Sequence, residues 1–161
     1  MFNGSHNQEI KKNKINNSYK ISIIVSQWNN DITELLYDGA ISKLLEYGIK
    51  NNNIQRYDVP GSMELVFASE YLLNQKKDIH AIICLGCVIK GKTDHDKYIS
   101  SSVSKGLMSV SLKYKKPVIF GVLTTNNKKQ GFERSGGRYG NKGEEAAFTV
   151  IKMLDFINKI N

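Results

Sequence analysis

The chain has 161 residues, 40% hydrophobic and 24% charged, a balance that suits one domain with a buried core and leaves little room for a second. Lys and Arg number 23 against 15 Asp and Glu, a formal net charge of +8, but the lysines are scattered and no clustered basic stripe with stacking aromatics accompanies them, which argues against a nucleic-acid partner. No apolar run is long enough to span a bilayer and the Asn- and Lys-rich first twenty residues lack the apolar stretch of a secretory signal, so a cytoplasmic protein without a membrane partner is expected.

Residues 1–18 are polar and aperiodic and read as a flexible or edge-pairing N-terminal arm; residues 19–161 read as a single domain. Lys20 to Ser26 is a β-branched strand. Ile32 to Tyr47 places Leu35, Leu36, Ala40, Leu44 and Leu45 at helical spacing and stops at Gly48. Ile54 to Val59 predicts a second strand closed by Pro60-Gly61, after which Ser62 is positioned to cap a helix over Met63 to Leu73. A third strand, Ala81 to Ile89, is followed by a helix from about Tyr98 to Tyr114. Pro117 then opens a fourth strand, Val118 to Leu123. Thr124 to Lys142 is a polar, glycine-rich stretch, and Glu144 to Ile160 is a closing helix with Ala147, Val150, Ile151, Leu154 and Ile157 on its apolar face. Strand and helix alternate throughout. That rhythm implies a three-layer α/β/α sandwich around a mainly parallel, flavodoxin-like four-stranded sheet.

Cys84 and Cys87 have Cys-x-x-Cys spacing, but both fall inside a strand, where residues three apart point to opposite faces. They read as small buried hydrophobes, with no metal site. His6 and His80 have no ligand cluster around them.

In a parallel sheet the segments following each strand gather at one rim, where ligands bind. Here they are Gln27 to Asn30, Gly61 to Glu64, Lys90 to His95, and Thr124 onward. Trp28, the only tryptophan, can stack on a planar heterocycle; a rim aromatic covering the first helix is the competing explanation. Asn29 and Glu64 can hydrogen-bond a polyhydroxyl chain, although Glu64 is also explained by the dipole of the helix it opens. The Gly91-Lys92-Thr93 turn offers backbone N–H groups and a hydroxyl to a phosphate. His95 at the end of that turn is a candidate for proton transfer, set against an ordinary loop histidine. A second basic element, Arg134 to Gly143, supplies Arg and Lys among glycines. Neither a Walker A loop nor a Gly-x-Gly-x-x-Gly turn is present, which removes nucleoside triphosphate and dinucleotide readings.

Four stretches, Pro60-Gly61-Ser62-Met63-Glu64-Leu65, Gly86 to His95, Pro117 to Thr124, and Gln130 with Arg134-Ser135-Gly136 and Gly140 to Ala147, resemble in order the signatures of the lumazine synthase family. The resemblance covers about Tyr19 to Leu154. It implies condensation of 5-amino-6-(D-ribitylamino)uracil with 3,4-dihydroxy-2-butanone 4-phosphate to give 6,7-dimethyl-8-ribityllumazine, phosphate and water in riboflavin biosynthesis, without cofactor or metal. It further implies that Trp28 stacks on the pyrimidine, that Asn29, Ser62 and Glu64 meet the ribityl chain, and that Val88 and Ile89 meet the pyrimidine edge. Lys92 and Thr93 match the phosphate-binding turn and His95 the proton-transfer histidine. Phe120, Arg134 and Lys142 match residues that reach the site from an adjacent subunit, Arg134 pairing with phosphate. The family forms homopentamers and, in some members, hollow icosahedral shells.

Two positions depart from the family pattern. Asp94 stands where proline is common and Asp96 where an aromatic follows the histidine, and two extra carboxylates beside a phosphate site should repel the substrate and shift the pH optimum. The alternatives are an archaeal-type riboflavin synthase, which the histidine loop argues against, and a non-catalytic flavin-binding or capsid protein.

Overall fold

Four strands, β1 (Ile21–Ser26), β2 (Ile54–Val59), β3 (Ala81–Ile89) and β4 (Val118–Thr125), form one sheet in the order β2-β1-β3-β4 with every adjacent pair parallel. The computed structural model describes residues 18–160, so the expected arm over residues 1–18 lies, apart from Ser18, outside the described residues. Helices α1 (Asn30–Glu46) and α5 (Lys142–Ile160) cover one face of the sheet, and α2 (Glu64–Gln75) and α3 (His95–Tyr114) cover the other. This is the three-layer, flavodoxin-like architecture that the strand–helix alternation implied.

Both faces are covered, so the central strands are apolar on both sides rather than alternating apolar with polar. Ile21, Ile23 and Val25 of β1 pack with Leu36, Ala40, Val150 and Ile151 on the α1/α5 side, while Ile24, Ile82 and Cys84 pack with Leu65, Leu73, Val103 and Leu107 on the α2/α3 side. Each large aliphatic side chain buried this way contributes about 1.5–3 kcal/mol. The period of two sends Cys84 and Cys87 into opposite cores, as expected. Burial pushes the Cys84 thiol up to about 12 and that of Cys87 up to about 11, and both are free.

The structure corrects two local expectations and adds short elements where none is predicted. Helix α3 begins at His95 rather than near Tyr98, with Asp94 as its cap residue. Ser62 does not cap α2 through its side chain; Met63 is the cap residue, and the Ser62 carbonyl accepts from the Leu65 N–H at 3.3 Å. The polar stretch before the last helix is folded, into α4 (Lys128–Glu133) and a small antiparallel hairpin of β5 (Ser135–Gly137) and β6 (Gly140–Asn141).

Asn141 fastens that hairpin to the body. Its buried Nδ2 donates to the Leu35 carbonyl at 2.9 Å and the Ser135 carbonyl at 3.2 Å, and its Oδ1 accepts from the Gly143 N–H at 2.8 Å. A buried amide satisfied three times specifies one arrangement. Gly143 completes the joint, because a Cβ there would overlap the Leu36 carbonyl oxygen, so only glycine lets the start of α5 approach α1 this closely.

Candidate active site

The exits of β1, β2 and β3 are laced together by hydrogen bonds that fix the rim of the sheet. The Gln27 N–H donates to the Val59 carbonyl at 2.8 Å and the Trp28 N–H to the Pro60 carbonyl at 3.1 Å. Asn29 adopts the left-handed conformation at φ 57°, which Asn tolerates better than most residues, and its Nδ2 donates to the Cys87 carbonyl at 2.9 Å. Its amide nitrogen therefore serves the fold, and its Oδ1 is the atom left to offer a ligand.

Between these exits lies a cavity of about 610 Å³. Of the residues singled out in the sequence, Trp28, Asn29, Ser62, Glu64, Val88, Ile89, Thr93 and His95 line it. Trp28 is 73% exposed, so it covers little of α1 and presents its ring at the cavity mouth. Ser62 is buried against β3, where Gly86 makes room: a Cβ at Gly86 would stand 2.6 Å from the Ser62 Oγ. Glu64 sits in the first turn of α2 with its carboxylate over Gly61.

His95 is the first residue of α3, exposed and on the cavity wall. The earlier start of the helix bears on chemistry. N–H groups in the first turn of a helix lack intrahelical acceptors and carry the positive end of its dipole, so α3 adds its N-terminus to the Gly91–Thr93 turn as a place for an anion. Lys92 is exposed on the same turn but does not line the cavity.

The two departing carboxylates behave differently. Asp94 pairs with Lys97 at 2.8 Å, in an exposed position where such a pair is worth little. Asp96 lines the cavity, with its Oδ1 closed off from solvent and without a hydrogen-bond donor. Met63 and Ile99 also belong to the wall and are not among the site residues expected from the sequence. Ile99 and His95 are four apart, hence on one face of α3, a relation visible only once the helix start is known.

Phe120, Arg134 and Lys142 lie away from this cavity. Phe120 is in mid-β4, paired in register with Cys84 and half-buried against the α2/α3 core. Arg134 follows α4 and Lys142 opens α5, and both reach the Glu145 carboxylate. Burial pushes the Glu145 carboxyl up, but hydrogen bonds from Lys142 and Arg134 outweigh it and hold the group below the usual carboxylate range.

Residues 18–158 match the model of the 6,7-dimethyl-8-ribityllumazine synthase family. Proteins carrying that name align along most of the chain. One from Cytophaga hutchinsonii is 54% identical over 132 residues, covering 82% of this chain and 82% of its own. One from Bacteroides fragilis is 45% identical over 142 residues, covering 88% and 99%, and one from Coxiella burnetii strain RSA 493 is 42% identical over 143 residues, covering 89% and 94%. With the parallel sheet, the cavity at its rim and a match spanning nearly all the described residues, the chain belongs to the 6,7-dimethyl-8-ribityllumazine synthase family.

Proposed function

We propose that the protein is a lumazine synthase, condensing 5-amino-6-(D-ribitylamino)uracil with 3,4-dihydroxy-2-butanone 4-phosphate and releasing phosphate and water. What carries this reading is the convergence on one cavity of an exposed tryptophan, a set of hydroxyl and carboxyl acceptors, an anion-binding turn and a histidine. Trp28 stacks on the pyrimidine; the Asn29 Oδ1, Ser62 and Glu64 hold the ribityl hydroxyls; Val88 and Ile89 meet the pyrimidine edge. Thr93, Lys92 and the start of α3 hold the phosphate.

The aromatic amine attacks the ketone carbon, the carbonyl oxygen takes a proton, and loss of water leaves an imine. Phosphate then departs by elimination, the enol it leaves tautomerises to a carbonyl, and the ribitylamino nitrogen attacks that carbon and closes the ring with loss of a second water. Each step moves a proton, an imidazole can both take and give one, and the role of His95 is to move it. None of the steps calls for a cofactor. The two substrates gain further by being held face to face, so that a bimolecular encounter becomes a local one.

A second copy of the chain supplies Phe120, Arg134 and Lys142, which in one chain lie outside the cavity. The exposed side chains of Phe67 and Tyr71 on α2 and of Met108 and Leu112 on α3 offer apolar surface for such a copy to cover. The assembly is a pentamer or a multiple of it. Among the described residues no helix is long and apolar enough to cross a membrane. A cytoplasmic location is part of the same proposal.

The experiment is direct: purified protein given both substrates, with a chelator and no added metal or nucleotide, yields the fluorescent lumazine. Conversion of added lumazine to riboflavin would instead identify a riboflavin synthase. Tight riboflavin binding without turnover would identify a binding or shell protein.

A further inference from the structure

Arg134 and Lys142 share a single carboxylate. The Arg134 Nη2 donates to the Glu145 Oε1 at 2.8 Å and the Lys142 Nζ to the Oε2 at 3.1 Å, while the Arg134 Nη1 donates to the Tyr139 carbonyl. Behind them the Lys142 N–H donates to the Arg134 carbonyl at 2.9 Å, closing the hairpin that Asn141 anchors to α1. Two cations on the two oxygens of one carboxylate stand closer together than either would stay alone, because only the anion between them offsets their repulsion. Arg134 and Lys142 are each about a third exposed, so both keep donors free for a further acceptor.

We propose that Glu145 is a positioning residue that holds Arg134 and Lys142 together as one preorganised, net singly positive receptor for the phosphate of the butanone substrate. The proposal rests on the reading of Arg134 as a phosphate ligand. Without Glu145 the Lys142 side chain rotates freely and Arg134 keeps only the Tyr139 carbonyl, and ordering the two on binding weakens affinity. Glu145 also repels the arriving anion, an effect of opposite sign. Two substitutions separate these. Glu145→Asp keeps the charge on a shorter arm that cannot span both cations. Glu145→Gln keeps the length but removes the charge, losing both the hold and the repulsion.

Steady-state kinetics on the assembled enzyme tests this. Glu145→Asp is expected to raise the KM for the butanone phosphate about 5- to 10-fold, with kcat and the KM for the pyrimidine within about 2-fold of the unsubstituted enzyme. Glu145→Gln is expected to raise the same KM by less, since the lost negative charge offsets part of the lost order. A KM unchanged or lowered in Glu145→Asp overturns the proposal. So does a KM for the butanone phosphate lowered in Glu145→Gln, which would make Glu145 a mere competitor of phosphate. Equal rises in both KM values with a lower Tm would overturn it as well, leaving Glu145 a structural brace. Arg134→Ala, run beside them, distinguishes the failures. If it leaves the KM for the butanone phosphate unchanged, the phosphate reading of Arg134 falls and takes this proposal with it; if it raises that KM while Glu145→Asp does not, only this proposal falls.

Discussion

Arg134→Ala raises the KM for the butanone phosphate by about 10- to 150-fold, the equivalent of about 1.5–3 kcal/mol for a hydrogen bond to a charged group, and leaves the KM for the pyrimidine nearly unchanged. The selectivity follows from where Arg134 stands. It is not a wall residue of the cavity in its own chain, and its partners there are the Tyr139 carbonyl and Glu145. The hairpin it belongs to is fastened by Asn141 to Leu35, Ser135 and Gly143, so truncating Arg134 leaves the loop in place. Arg134→Lys keeps the charge but loses the planar fork and falls between the two. Separate titration of each substrate in steady state checks this, and equal effects on both would mean that the loop, not the guanidinium, is what matters.

For His95→Ala the expected result is a loss of rate of about 10- to 100-fold, near or below the usual range for general acid–base catalysis, because an amine and a ketone condense slowly without help. Thermal stability should change by no more than about 0.5 kcal/mol, since the side chain is exposed at the first position of α3 and packs in neither core. Binding of both substrates persists, so the loss appears in kcat. A rate equal to that of the unsubstituted protein would return His95 to the status of an ordinary surface histidine.

The strands are legible as short β-branched runs bounded by turn residues, and the long helices by a spacing of three and four written over several turns. Of the apolar positions that predict the first helix, Leu36, Ala40 and Leu44 are buried in the α1/α5 core, whereas Leu35 and Leu45 are exposed. The start of α3 was not legible from its own residues: Asp94, His95, Asp96 and Lys97 are all polar and carry no spacing. Its signal lay downstream, since Ile99, Val103 and Leu107 extend backward by four to His95. Helix α4 and the β5–β6 hairpin are too short to show a period at all. They are set by single polar contacts: the Asn127 side chain accepting from the Gln130 N–H at 3.0 Å, and Asn141 reaching a carbonyl 106 residues away. Such contacts leave no trace in local sequence. The cavity follows from topology for the segments after β1, β2 and β3, which meet at one rim, whereas the segment expected to join them from Thr124 onward does not line it. Which chain each basic residue serves is not written in spacing, and one copy of the chain leaves Arg134 and Lys142 outside its own cavity.

Asp94 and Asp96 illustrate a subtler limit. Both are expected to repel a phosphorylated substrate; the fold gives Asp94 a lysine partner and places Asp96 in the cavity wall. The sequence shows two equivalent charges where the structure shows one that is paired and one that lines the site.

The measurement that bears most directly on the account is co-assembly of His95→Ala and Arg134→Ala chains in equal amounts, with the mixed assembly confirmed by mass. In the closed ring proposed above each interface is the same head-to-tail contact, and every site would take its histidine from one subunit and its arginine from a neighbour. With random mixing, a site is intact only when the first comes from the Arg134→Ala chain and the second from the His95→Ala chain, one half times one half, or about a quarter of sites. At substrate levels where each parent assembly is nearly inactive, activity is predicted to recover to about that fraction of the unsubstituted enzyme. Mixed assemblies no more active than their parents would place both residues in the site of a single chain and contradict the account.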